Sequence, residues 1–205
     1  MHKVIDNNMY VKKRNGRTES VQFDKITERI QRLINKDEKE IDATIVAQKT
    51  VASIFPGITT EDLDIESAKK CANLSTTHPL YSKLAGRILV SNLHKKTPYD
   101  FVTKMNKIQE ITSKNNKNIG LLNSSWIKWL NLNQNEINNL IDYNRDYNMD
   151  YFGFKTLERA YLLKDPVNKK IYERPQDMWM RVASFLNMGD IKKIKKTYDL
   201  MSQGF

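Results

Sequence analysis

The sequence predicts a mainly α chain of the α+β class. An amino-terminal β-hairpin is followed by about four helices, then by a mostly helical stretch with one further hairpin. Three observations predict it. Apolar residues recur at three- and four-residue spacing through most of the 205 positions. Pro, Gly, Asp and Thr punctuate those runs where helices start and stop. Asn15-Gly16 separates two short strand-like runs, and Asn-Gly is the strongest short hairpin signal.

The first hairpin spans residues 10–23, with Tyr10 to Arg14 and Thr18 to Phe23 as its arms and two turn residues that both tolerate positive φ. Asp24 is the expected N-cap of a helix carrying Ile26, Ile30, Leu33 and Ile34. The charged segment Asn35 to Glu40 reads as a loop. A second helix runs from about Ile41 to Phe55 and ends at Pro56-Gly57. Thr59 or Thr60 caps a third helix, whose first-turn Glu61 and Asp62 suit the helix dipole. Pro79 opens a fourth, with Leu84, Ala85, Ile88 and Leu89 as apolar positions. Beyond residue 95, Phe101, Met105, Ile108 and Ile111 predict a helix, and Ser113 to Ser125 a loop. Trp126, Trp129 and Leu130, then Ile137, Leu140 and Ile141, mark further packed stretches. Phe152-Gly153-Phe154 reads as an aromatic turn. The arms 161–163 and 171–173 around Asp165-Pro166-Val167-Asn168 read as a second hairpin. Pro175 opens a helix with Met178, Val182, Phe185 and Leu186 on one face, and Ile191, Ile194, Tyr198 and Met201 define a last helix.

Composition narrows the function classes. A net charge of +10 attracts polyanions such as nucleoside triphosphates, nucleic acid or an acidic partner, though a lysine-rich solvated surface accounts for most of it. One cysteine, Cys71, permits neither an intrachain disulfide nor a two-cysteine zinc motif. Residues 1–10 lack a signal-peptide core, and no apolar run approaches the ~20 residues of a membrane span, so an intracellular, cytoplasmic protein is expected.

Few residues stand out chemically. Lys12, Lys13, Arg14 and Arg17 surround the first turn and Lys25 follows, a set able to hold a triphosphate beside the opening turn of a helix. No Gly-rich Walker loop is present. His2, His78 and His94 are not at metal-ligand spacing. His78 reads as a helix-start residue and His94 as a helix-end residue. Cys71 falls on an apolar helical stripe and reads as a buried structural thiol. The aromatic set Tyr147, Tyr151, Phe152 and Phe154, near Lys155 and Arg159, reads as packing in preference to a stacking platform for single-stranded nucleic acid.

Four segments carry a family resemblance. Val11 to Ile30 resembles the opening of an ATP-cone, and Gly57 to Asp64 the second half of its nucleotide site. Tyr81 to Lys95 is similar to the end of that domain in eukaryotic-type ribonucleotide reductase large subunits. Tyr151 to Arg159, with Glu173 to Met178 and Arg181-Val182, is similar to the first part of their catalytic region. Four motifs in family order identify the chain as resembling the amino-terminal part of the large (α) subunit of a class I ribonucleoside-diphosphate reductase.

The resemblance implies an ATP-cone at residues 9–100 and the start of the catalytic region at 101–205. It implies ATP or dATP as allosteric effector, with Mg accompanying the triphosphate and no metal held by the chain. Lys13 and Arg14 match the phosphate-holding pair. Glu19, Ser20, Val21, Gln22, Phe23, Asp24 and Lys25 match the nucleotide-lining stretch. Thr60 and Asp64 match the opposite wall, and Lys95 a further phosphate contact. The implied role is control of ribonucleotide reduction for deoxyribonucleotide biosynthesis and DNA replication. The implied partners are the remaining part of the large subunit, the radical-generating small subunit and a second copy through the ATP-cone, with no membrane and no specific nucleic acid. The family's catalytic cysteines have no match in Cys71, so the chain alone is expected not to reduce ribonucleotides. The segment 145–205 is expected to depend on a completing chain. The alternative is a stand-alone basic nucleotide- or nucleic-acid-binding module. The repressor type that shares the ATP-cone carries a four-cysteine zinc ribbon, which one cysteine excludes.

Overall fold

A computed structural model describes residues 9–112 and 118–204. His2 and the loop positions 113–117 lie outside the described residues. The chain forms two compact units, residues 9–92 with Met149–Gly153, and Leu93–Asn148 with residues 154–204.

The first unit opens with β1 (Tyr10–Lys12) and β2 (Thr18–Ser20), antiparallel with Val11 opposite Glu19. The turn differs from the expected one. Gly16 N–H donates to the Lys13 carbonyl at 2.9 Å and Lys13 N–H to the Arg17 carbonyl at 2.8 Å. Only Gly16 of the Asn-Gly pair takes positive φ, at 82°. This is a three-residue loop closed by a left-handed glycine, so the ladder stops at Lys12 and the arms are shorter than the pattern suggested. A third strand, β3 (Ile58–Thr59), lies parallel to β1 and gives the order β2-β1-β3. Gly57, at φ 82°, turns the chain into it and donates to the Tyr10 carbonyl.

Helix α1 (Phe23–Gln31) starts one residue before Asp24. Its N-cap position is Gln22, with no side-chain cap, and Asp24 lies in the first turn. Helices α2 (Ala43–Val51) and α3 (Thr60–Asn73) do have side-chain caps, from Asp42 and Thr59. α1 packs on α2 and α2 on α3. Val46, Ala47, Ala68, Cys71 and, on α4 (Leu80–His94), Leu84 and Ala85 are fully buried between them. The charged loop before α2 is pinned by Glu38, whose carboxylate accepts two hydrogen bonds from Arg87, at 2.5 and 2.6 Å.

The second unit holds α5 (Phe101–Gln109), α6 (Ser124–Leu132), α7 (Gln134–Asn139), α9 (Pro175–Leu186) and α10 (Ile191–Gln203). Phe101, Met105, Ile108, Trp126, Leu130, Ile137, Met180, Ile194 and Tyr198 form its core. Phe152-Gly153-Phe154 is helical, inside α8 (Tyr151–Ala160), because Asp150 accepts the Gly153 N–H and starts the helix there. Phe154 is buried and Phe152 exposed. The second hairpin contracts to a single antiparallel bridge, Lys164 with Ile171. On α9 Gln176, Asp177, Met178, Met180, Ala183 and Ser184 are buried, so Met178 faces inward as expected, while Phe185 and Leu186 are exposed. The reason is polar: Gln176 N–H donates to Asp146, and Asp177 sits in a buried ion pair with Lys104, which rotate that face inward.

Candidate functional site

Within the first unit a cavity of about 150 Å³ lies between the hairpin and three helices. Its walls follow from helical periodicity. Lys25, Ile26, Arg29, Ile30 and Leu33 line it from α1 and the turn after it, Thr60, Leu63, Asp64 and Ser67 from α3, and Ile88 and Ser91 from α4. Each set repeats at three or four residues, so each helix presents one face. Lys13 and Glu19 to Gln22 close the hairpin side. Val11, Val21, Ile26, Ile30, Leu33, Leu63 and Ile88 supply apolar lining, and Lys13, Glu19, Lys25, Arg29 and Asp64 charged lining.

Two carboxylates organise the charged lining. Glu19, on β2, pairs with both Lys13 and Lys25. Their hydrogen bonds, Lys13 first, hold its carboxyl down at about 2. Asp64, on α3, is only 2% exposed. It pairs with Arg29 of α1, and Arg14 Nη2 reaches the same oxygen at 3.4 Å. Arg14 also donates to Asn92 Oδ1 at 2.5 Å, which holds its guanidinium against α4. Burial, and then the charge of Arg14, lower Arg29 to about 10. Beside them, α1 opens without a side-chain cap. Its first-turn N–H groups and positive dipole end add to the same electropositive corner.

Of the residues singled out in the sequence, Lys13, Glu19, Ser20, Val21, Gln22, Lys25, Thr60 and Asp64 line the cavity. Arg14 is not among the lining residues and is bound to Asp64 and Asn92. Phe23 and Asp24 are the first two residues of α1, with Asp24 exposed. Lys95 follows α4 and belongs to the second unit. Sequence reasoning passed over Arg29, Ser67 and Ser91. Arg29 carries no cap, turn or motif signal of its own, and only its spacing of four from Lys25 places it on the cavity face.

The chemistry of this set is that of an anion site with an apolar neighbour. Lysines and arginines suit phosphate oxygens, hydroxyls and carboxylates suit sugar and base donors, and the apolar lining suits a ring. A nucleoside triphosphate has those three parts. Cys71 has no part in it: the thiol is fully buried, donates to the Tyr81 carbonyl at 3.2 Å, and is pushed by burial up to about 12. Among the described residues no group of three His, Cys, Asp or Glu is placed to hold a metal ion. Among the same residues no helix is long and apolar enough to cross a membrane.

Comparison with known proteins agrees in two places. The ATP cone domain family matches residues 9–96, and the ribonucleotide reductase all-alpha domain family matches residues 147–205. Ribonucleoside-diphosphate reductase large chain 2 of Saccharomyces cerevisiae is 43% identical over 196 residues, covering 95% of this chain and 22% of that protein. The large subunit of Caenorhabditis elegans is 44% identical over 203 residues, covering 97% of this chain and 25% of that protein. The large subunit of Plasmodium falciparum is 41% identical over 197 residues, covering 96% of this chain and 24% of that protein. The chain therefore spans about a quarter of the length of these relatives.

Proposed function

The chain belongs to the ribonucleotide reductase large-subunit family as its amino-terminal ATP-cone and all-alpha domains, and on that premise we propose that the cavity binds ATP and dATP as allosteric effectors of ribonucleotide reduction. The observation that carries the proposal is that Lys13, Lys25 and Arg29 line one cavity together with Thr60 and Asp64, with Lys25 in the uncapped first turn of α1.

In the structure Glu19 pairs with both lysines. A triphosphate takes its place, offering more negative charge and more acceptor oxygens to the same two ammonium groups. The uncapped N–H groups of α1 supply further donors. Thr60 and Asp64 face the sugar, and the apolar lining takes the base. Magnesium arrives with the triphosphate, since the two carboxylates of the site are engaged by lysines and arginines. Control then requires that ATP and dATP differ in affinity for two assembly states of the enzyme, because a ligand shifts an equilibrium only by its differential affinity.

In this reading residues 9–100 are the sensing domain and residues 101–205 the start of the catalytic region. The partners are the rest of the large subunit, the small radical-generating subunit and a second copy of the chain, in the cytoplasm. No catalytic residue is assigned within these 205 residues. Calorimetric titration of the purified chain with ATP and dATP tests the proposal. Saturable binding that is lost in a Lys13→Ala, Arg14→Ala double variant is the expected result. Equal binding by the double variant, or binding of DNA with no preference for adenine nucleotides, would refute it.

A further inference from the structure

One carboxylate in the cavity lining holds both of its lysines. Glu19 reaches Lys13 from one side, in the hairpin turn, and Lys25 from the other, in the first turn of α1. All three residues line the cavity. Among the described residues neither lysine pairs with any other carboxylate. The two ammonium groups stay open to solvent, with side chains 43% and 59% exposed, whereas the Glu19 side chain is 25% exposed. An incoming anion therefore finds both lysines within reach and both already engaged.

We infer that Glu19 is the resident counter-ion of the phosphate subsite and sets effector affinity by competition, because a triphosphate gains Lys13 and Lys25 only by displacing it. The inference rests on the nucleotide reading above and deepens it. Resemblance assigns Glu19 to the nucleotide as one lining residue among several, and its pairing gives it the opposite sign. Removing a group that touches the ligand weakens binding; removing a competitor tightens it. The apparent dissociation constant is the intrinsic one divided by the fraction of molecules whose lysines are free. Half-exposed ion pairs are individually weak, so that fraction is small without vanishing, and the ligand still wins. The hydrogen bonds from Lys13, then Lys25, hold the Glu19 carboxyl at about 2, so it is ionised and competing at neutral pH. The alternative is that Glu19 contacts the ligand itself, through a sugar hydroxyl or the magnesium that accompanies the triphosphate.

The two roles predict opposite signs. Binding of ATP and of dATP is measured by calorimetry on the full chain at neutral pH, with and without magnesium, for wild type, Glu19→Gln and Glu19→Ala. Both variants are expected to bind both nucleotides more tightly, by roughly three- to tenfold, with or without magnesium. The alanine variant guards against a gain that comes from the glutamine amide donating to a phosphate. A cycle with Lys25→Ala supplies a second reading that does not depend on the absolute affinity of any one variant. Lys25→Ala should cost more binding in the Glu19→Gln background than in wild type, since no competing pair offsets the lost contact. Weaker or unchanged binding in both Glu19 variants, a loss seen only with magnesium, or equal costs of Lys25→Ala in the two backgrounds would overturn the inference and leave the nucleotide reading standing. Failure of wild type and both Glu19 variants to bind either nucleotide overturns both.

Discussion

Replacing Lys104 with methionine isolates one electrostatic contact inside the second unit. The Lys104 ammonium lies 2.5 Å from Asp177 Oδ2, with both side chains fully buried. It also donates to the Tyr143 hydroxyl at 3.1 Å and sits 4.8 Å from the centre of that ring. Asp177 accepts two more hydrogen bonds, from the Tyr143 hydroxyl and the Arg174 backbone N–H, each at 2.6 Å. Burial holds Lys104 below the ordinary lysine range despite the pull of Asp177, so the intact pair adds little net stability. Breaking it is another matter. Methionine fills nearly the same volume, so the loss is that of a counter-ion. Leaving one charge buried without its partner costs roughly 3–5 kcal/mol. The two remaining donors on Asp177 place this case at the lower end, about 3 kcal/mol. At ~2–4 °C per kcal/mol for a chain of this length, the unfolding midpoint falls by about 6–12 °C. Adding Asp177→Asn to Lys104→Met removes the orphan charge and is expected to recover most of that loss. Denaturant unfolding followed by tryptophan fluorescence is the assay, because Trp126 lies in the core of this unit and Trp129 and Trp179 pack against it. A loss below about 1 kcal/mol in Lys104→Met, or a double variant weaker than the single one, would refute the reasoning.

Two further predictions concern the first unit. A Cβ on Gly86 would lie 2.2 Å from the Met149 carbonyl oxygen and 2.7 Å from the Asp150 carbonyl carbon. Gly86→Ala should therefore lower the thermal midpoint, with an overpacking cost of about 1–3 kcal/mol outweighing the roughly 1 kcal/mol gained in helix propensity; a midpoint at or above wild type would contradict the close approach. Glu19 is held at about 2 against its ordinary 4.5, so its ion pairs stabilise the fold above pH 4.5 and cease to do so as pH falls through about 2. The midpoint difference between wild type and Glu19→Gln should shrink to nothing over that window, and a difference that persists at pH 2 would mean that the lysine pairs are not its source.

How much was legible in the sequence divides along the line between local and long-range effects. Helix positions were readable because apolar spacing, Thr59 as a cap and Pro79 and Pro175 at helix starts act within one turn of chain. The Asn15-Gly16 turn was readable for the same reason, though not its loop length. What stayed hidden was pairing between distant residues. β3 has two residues, too few for an alternating pattern, and exists only because β1 offers it an edge. Arg29 meets Asp64 across 35 residues and Lys104 meets Asp177 across 73. A charged residue on a helix looks the same in sequence whether it faces water or a buried carboxylate. The inward rotation of α9 was missed for this reason, since its stripe is set by Gln176 and Asp177 as much as by Met180 and Ala183.

The candidate site shows the same division and gives it a functional meaning. Resemblance named the cations and hydroxyls as candidates, but it did not show that two carboxylates already hold those cations in separate groups. Glu19 holds lysines and Asp64 holds arginines. ATP and dATP carry identical triphosphates, so exchange of Glu19 for phosphate at Lys13 and Lys25 contributes equally to both and cannot distinguish them. Under the proposed function, discrimination must arise where the ligands differ, at the sugar. The groups there are Thr60 and Asp64, and Asp64 is the one held by two arginines. Affinity and selectivity thus fall on different carboxylates of one cavity. Variants at Lys13 or Lys25 should weaken both nucleotides in proportion, while variants around Asp64 should change their ratio.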